Sequence, residues 1–390
     1  MRGGVACTVS VAVCVSALIS STAPAAEWSS DVSASLRQEY NDNITMTAAP
    51  HKAVLGNTAS TLLALNRRDE LLQVTASALG EYTAYIGESG LNFGSYDLKL
   101  TPAYQSGRAT WTLDGEMKQD VTLGSELRET GVVLTRDKRR LESASPSLSW
   151  SLTEQSSIRV QYEYTHVRYP GTNPGLVDYE AQVADVDWLV SPTEKDTLTT
   201  TVRYLDYRTS STGFTSQDYS FQEGLKHEFT ETVRGELSAG ADYTVSNSGA
   251  GASAPTDRQW GGLLNASLEQ QSEVMLSKGS VSQEVFPSGG GYLVQTQHLS
   301  GLIRRELFQP LTAFATADAY WTTALGTNNV PNGQYYTTSA GLSWRFKEHW
   351  TVDATYRYGY SDYQHATEAV TSNAVYWRIA YNSHDLIFSP

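Results

Sequence analysis

Apolar and polar residues alternate one by one through segments of ten residues and more. Trp111, Leu113 and Met117 alternate with Thr110, Thr112, Asp114, Glu116 and Lys118. Ile158, Val160, Tyr162 and Tyr164 alternate with Arg159, Gln161 and Glu163, and Leu237, Ala239, Ala241 and Tyr243 with Glu236, Ser238, Asp242 and Thr244. The pattern returns over 260–268, 311–321, 336–346 and 350–358. A period of two is that of a β-strand with one apolar and one polar face. Strands of globular proteins average about 5–6 residues. Segments twice as long suit a strand that crosses a bilayer.

The connections sharpen this expectation. Short polar turns are expected at 67–70, 106–107, 153–157, 191–195, 230–232, 270–273, 308–310 and 347–349. Longer connections lie between them at 46–56, 82–92, 121–137, 170–177, 208–217, 246–257, 286–291, 326–334 and 362–372. Nine long and eight short connections, strictly alternating, imply 18 strands. The pattern predicts an all-β fold: a transmembrane antiparallel up-and-down β-barrel with short periplasmic turns and longer extracellular loops. A soluble sandwich or propeller would turn every 8–12 residues and would need apolar side chains on both faces of one sheet. Here the face opposite the aromatics carries Thr, Ser, Gln, Asp, Glu and Arg, which calls for water. Lipid outside, water inside and a closed sheet satisfy both faces.

Composition excludes other classes. A formal charge of −14 argues against nucleic acid as a partner, and 11% aromatic residues argue against disorder. Residues 5–19 form an uncharged apolar run after Arg2, followed by Ala23-Pro24-Ala25, the pattern of a cleavable signal peptide over 1–25. The remaining 26–390 then form one outer-membrane barrel domain. Both cysteines, Cys7 and Cys14, fall within the signal, so no thiol or disulfide chemistry is expected beyond it. Aromatic residues gather towards strand ends as two expected girdles. Tyr104, Tyr164, Tyr204, Tyr243, Trp321, Tyr358 and Tyr360 form one group. Trp150, Phe229, Trp344, Phe346, Trp350 and Tyr381 lie near the short turns.

The segment Leu36-Arg37-Gln38-Glu39-Tyr40-Asn41-Asp42-Asn43-Ile44 resembles the opening strand of proteobacterial barrels of the beta-barrel porin 2 group, which often carries a Tyr-x-Asp-Asn-hydrophobic stretch. The resemblance implies an outer-membrane barrel in a family associated with exopolysaccharide and surface-export systems. It transfers no functional residue. The sequence ends Phe388-Ser389-Pro390, whereas many such barrels end on an aromatic.

No enzymatic motif emerges. The seven histidines make no close pair at metal-ligand spacing, and neither His-Glu-x-x-His nor Gly-x-Ser-x-Gly occurs. Gly249 to Ala252 lacks the strand-to-helix context of a phosphate cradle. Asp42-Asn43 reads as a turn pair rather than a calcium ligand pair. No cofactor is expected.

The polar face supplies candidate pore-lining residues. These are Lys99, Arg159, Arg203, Lys226, Arg345, Arg357 and Arg378, with Asp114, Glu116, Glu163, Glu236, Asp242, Asp318 and Asp353. Seven cations against seven anions give no dominant sign, and cross-strand ion pairs bracing the wall would also explain them. The longest connection, 121–137, carries Glu126, Arg128, Glu129, Arg136 and Asp137 around apolar Val132-Val133-Leu134. Folded inward it would form a constriction, with Glu126 and Glu129 favouring cations. Most long loops stay outside, which favours a surface lid.

The expected function is a porin-like channel for polar solutes. The alternatives are the exit pore of an exopolysaccharide or related export system, and a structural barrel with a plugged lumen. Expected partners are outer-membrane lipid, lipopolysaccharide, the outer-membrane assembly machinery and, for the second reading, polysaccharide export components.

Overall fold

The computed structural model describes residues 27–132, 136–171, 173, 175–247, 256–326, 332–363, 368–383 and 386–388. The expected signal peptide and most of the expected loop 246–257 lie outside the described residues, as do Val133 and Leu134 of the loop centre.

Long strands follow one another from end to end. They are β1 (Glu27–Asn41), β2 (Val54–Arg68), β3 (Leu72–Tyr85), β4 (Phe93–Ser106), β5 (Ala109–Val121) and, after the helix α1 (Thr122–Thr130), β6 (Lys138–Ser151). Next come β7 (Ser156–Arg168), β8 (Tyr179–Val190), β9 (Asp196–Thr209), β10 (Thr215–Thr230), β11 (Val233–Asn247) and β12 (Thr256–Gln271). The series ends with β13 (Met275–Pro287), β14 (Leu293–Phe308), β15 (Leu311–Leu325), β16 (Gly333–Lys347), β17 (Trp350–Tyr363) and β18 (Val370–Asn382). A three-residue β19 (Leu386–Phe388) resumes the line of β18 beside Trp28–Ser30 of β1.

Each strand pairs antiparallel with its sequence neighbours. β1 closes the sheet on β18, from Ser33↔Asn382 to Asn41↔Ala374. Closure leaves no edge for lipid to meet unpaired. The result is an antiparallel up-and-down barrel of 18 strands, as the alternation predicts. Register shifts occur at Glu228/Thr230, Glu306/Phe308 and Trp344/Lys347, all beside short turns.

The two ends differ less than the sequence suggests. The connections 210–214 and 288–292 have five residues each, the same as the turn 191–195. The ladder between β9 and β10 runs on through Thr215↔Arg208, into residues expected to be loop. Tyr104 also moves: it stands opposite Trp111 beside the Gly107 turn, so it belongs to the turn-side girdle.

The faces separate as the pattern requires. Leu36, Trp111, Val202, Leu237, Leu268 and Ile303 are more than half exposed on the outer face. Aromatic pairs flank this apolar belt. The ring centroids of Tyr204–Tyr219 and Tyr243–Trp260 lie 5.1 and 4.8 Å apart, tilted, towards the loops. Trp344–Phe346 and Trp350–Tyr381 stand 5.7 and 5.3 Å apart towards the turns. Rings with an apolar body and a polar tip suit headgroup depth.

The Asn41-Asp42-Asn43 stretch fastens the seam. Asp42 accepts from the Asn373 backbone N–H and from its Nδ2, both at 2.7 Å. Asn43 Nδ2 donates to the carbonyls of Thr47 and Thr371 at 2.8 and 3.0 Å. Asn41 Oδ1 accepts from Asn43 N–H and Ser372 Oγ. Side chains that imitate backbone partners let the first strand turn away while still bonded to the last.

Candidate functional site

The site is the lumen, and α1 divides it. The helix leaves the wall at Val121 and crosses to the far side. There Thr296 Oγ1 of β14 donates to the Thr130 carbonyl at 2.8 Å, and Tyr320 Oη of β15 donates to that of Arg128 at 3.3 Å. Leu127 packs on Tyr320 and Tyr335. Gly131 ends the helix with φ 72°, its N–H bonded to the Leu127 carbonyl at 3.0 Å. A Cβ there would lie 2.5 Å from Tyr320 Cβ, so only glycine allows this approach. The long connection therefore folds inward, against the expectation of a surface lid. A nine-residue helix with no side-chain N-cap is marginal in water, and here the wall contacts of Leu127, Arg128 and Thr130 hold it.

A buried ion cluster anchors the root. The Arg139 side chain is fully buried and binds Asp120 at 3.1 Å and Glu129 at 2.6 Å. Lys118 lies 3.1 Å from Asp120. Glu129 is thus committed to Arg139 and does not supply cation preference to the channel. Glu126 does not either: it is 1% exposed on the opposite flank of the helix. Its Oε1 accepts from Tyr169 Oη and, at 3.0 Å, from the Gly289 N–H. Burial pushes the Glu126 carboxyl up to about 7, against the pull of the Tyr169 hydroxyl, the Arg139 charge and the Gly289 N–H. On this flank Tyr169, Tyr179, Tyr207, Phe214, Leu293 and Leu325 form an apolar mass that fills the lumen.

The other flank stays open. A cavity of about 910 Å³ lies between α1 and the inner faces of β1, β3, β4 and β13 to β18. Six arginines line it, Arg37, Arg128, Arg136, Arg304, Arg357 and Arg378, against the carboxylates Glu39, Asp318 and Asp353. Asp353 pairs with Arg378 at 2.6 Å, and Asp318 holds His298 at 3.1 Å. Among the described residues the other five arginines make no ion pair. Arg136 donates to the Leu91 carbonyl at 2.8 Å and lies over Phe93 and Tyr85 at 5.0 and 5.6 Å. Arg357 and Arg37 lie 5.0 and 5.5 Å from the Tyr376 ring. Aromatic faces hold a guanidinium without neutralising it.

Thirteen of the fourteen residues expected on the polar face share the inward side of the register, Arg345 falling in the bulge of β16, and they play different parts. Lys99 lies 3.5 Å from both Glu116 and Asp97. Arg159 pairs with Asp187 at 2.6 Å and Arg203 with Asp185 at 3.6 Å. Asp114 accepts from Thr101 and Glu163 from Thr165. Lys226 and Glu236 are register partners. Asp242, 2% exposed, lies against Gly261. Arg345 falls beside the turn end of β16, its N–H bonded to the Pro310 carbonyl. Only Asp318, Asp353, Arg357 and Arg378 of the fourteen reach the cavity. Of the five loop residues, Arg128 and Arg136 do so, while Asp137 stays at the rim, its carbonyl accepting from the Thr122 N–H at 3.0 Å.

Equal numbers thus conceal unequal placement. Glu116, Asp185 and Asp187 are paired on the wall from β4 to β9 and Asp242 is buried, whereas the cavity is faced by arginines without ion pairs among the described residues. Arg37, Glu39, Asp120, Arg139 and Arg304 escape the sequence reading. The alternation that marks β1, β6 and β14 would place Arg37, Arg139 and Arg304 inward, but not at the cavity.

No protein-family model and no curated protein matches the sequence. Among solved structures the fold is similar to OccAB2 of Acinetobacter baumannii, at 13% identity over 91% of this chain and 98% of that one, TM-score 0.49. It is also similar to OpdK of Pseudomonas aeruginosa, solved with vanillate, at 8% identity over 92% and 99%, TM-score 0.48. OccK2 (OpdF) of Pseudomonas aeruginosa, solved in complex with glucuronate, matches at 9% identity over 91% and 97%, TM-score 0.48. These likenesses concern the strand framework. The Leu36 to Ile44 segment remains a resemblance to the beta-barrel porin 2 group, and no family model extends it.

Proposed function

We propose that the chain is a porin-like outer-membrane channel that passes small polar solutes and favours anions. The cavity carries the reading. It is open, of small-molecule size and lined by five arginines without an acidic partner among the described residues. The Nε of Arg37 is buried there with no hydrogen-bond partner among the described residues. Fixed positive charge in a low-dielectric wall raises the local concentration of anions. The outer belt of apolar residues and the two aromatic girdles support a bilayer location. The 1–25 signal would deliver the chain across the inner membrane. The assembly machinery would then insert it among lipid and lipopolysaccharide, with short turns facing the periplasm. A helix pinned across the lumen suits small solutes better than a threaded polysaccharide.

Liposome swelling tests this reading. A sugar carboxylate should enter faster than an amino sugar of equal size. Arg304→Glu with Arg357→Glu should reverse that order, since both side chains face the cavity and neither makes an ion pair among the described residues. Equal rates for the two sugars, or an order unchanged by the double substitution, would count against it.

A further inference from the structure

The geometry points to a proton-controlled latch at Glu126: the neutral carboxyl holds α1 against the connections 169–178 and 288–292, and its ionisation releases the helix on that flank. The inference rests on the lumen being a channel, because the latch regulates the same helix.

The latch is built from three connections that meet only inside the barrel. Glu126 Oε1 takes the Tyr169 hydroxyl and the Gly289 N–H, while Oε2 is buried with no partner among the described residues. Tyr207 Oη donates to the Ser288 carbonyl at 2.8 Å, and the Val177 N–H to that of Gly289 at 2.8 Å, so the receiving connections are fixed to the wall. The fit leaves no slack. A Cβ on Gly289 would lie 2.5 Å from Glu126 Oε1 and closer still to Tyr169 Oη.

The surroundings favour the neutral acid. From β8, β9 and the two connections the carboxyl faces the rings of Tyr179, Tyr207, Tyr169 and Tyr292, and burial raises the Tyr169 hydroxyl and pushes that of Tyr292 up to about 12. On its own helix Glu129 repels the charged form. Arg139 of β6 attracts it, but that guanidinium is already bound to Glu129 and to Asp120 of β5. Oε2 has no partner among the described residues in either form, so it is the dryness of the site, 1% exposed, that penalises the charge.

The sign follows from linkage. The docked carboxyl holds its proton up to about 7, against 4.5 for a solvated one. Docking is therefore fully favoured below the lower value and weakens as pH rises through the interval. The docked-to-released ratio should fall by up to about 300-fold between those limits. Arg139 still ties the root of α1 to the wall, so release means a swing about that root in which the tip lifts from Thr296 and Tyr320, rather than unfolding.

Spin labels on Arg128→Cys and Thr337→Cys, read by double electron–electron resonance in liposomes, test the latch independently of conduction. No cysteine occurs after Cys14, so the pair is unique in the exported chain. One distance population is expected at low pH, and a second should grow in as pH rises between about 4.5 and 7. Glu126→Gln should hold the first population at all pH values, and Tyr169→Phe, which removes a donor to the charged form, should shift the balance within this interval. In bilayers the same transition should appear as pH-dependent conductance, abolished by a Thr130→Cys/Thr296→Cys disulfide and restored by reduction. A single population at every pH, or an unchanged transition in Glu126→Gln, would overturn the latch even if the channel conducts. Absence of conductance with an intact distance shift would count against the channel reading instead.

Discussion

Replacing residues 123–136 by a two-residue Asn-Gly turn should raise single-channel conductance about twofold. The reason is geometric. Val121 and Lys138 are register partners, so β5 and β6 can be joined directly as a hairpin without disturbing the wall. The excised segment contains the helix that spans from β5 to Tyr320 and Thr296, and its removal adds the volume of that helix to the cavity. The apolar mass around Tyr207 and Leu293 stays, because the wall and the connections 169–178 and 288–292 supply it. Loss of Arg128 and Arg136 should weaken anion preference at the same time, most visibly at low salt. Unchanged conductance in a correctly folded variant would place the constriction elsewhere.

The second large effect concerns the lipid face. Leu264 stands near the middle of β12 on the outer side, between Ala239 and Gln283 in register. Leu264→Arg should cost about 2–4 kcal/mol of folding stability, since the charge lies near the bilayer midplane. Leu237→Arg and Ala315→Arg lie nearer the turns and should cost less, in keeping with depth. Glu236 and Thr316 point inward beside them. Replacing either by Arg should fold almost normally, measured by urea-driven unfolding in lipid. Equal losses for both sets would mean that the faces are exchanged.

The framework was open to reading because its physics is local. A strand wetted on one side and greased on the other must alternate, and each hairpin turn is polar, so strands and turns fall within a few residues of their expected places. The long-loop ends were harder, since strands such as β9 and β10 keep pairing into residues that read as loop. What alternation cannot supply is distance across the barrel. Glu126, Glu129 and Arg128 look equivalent along the chain. Their roles diverge because one meets Tyr169 and Gly289, one meets Arg139, and one faces the cavity. The same limit applies to charge. Seven cations and seven anions balance in number, but Arg159 and Arg203 lie beside Asp187 and Asp185 while Arg357 lies beside Tyr376. Neighbourhood around a closed sheet decides which charges survive unpaired, and that is set by register, not composition.

The most direct test of the account is planar-bilayer recording of the purified chain under a salt gradient at neutral pH. Discrete conductance steps are expected, with a reversal potential of anion-preferring sign that shrinks at high salt and changes sign in Arg304→Glu/Arg357→Glu. A folded barrel that gives no steps, or one with cation preference, would contradict it.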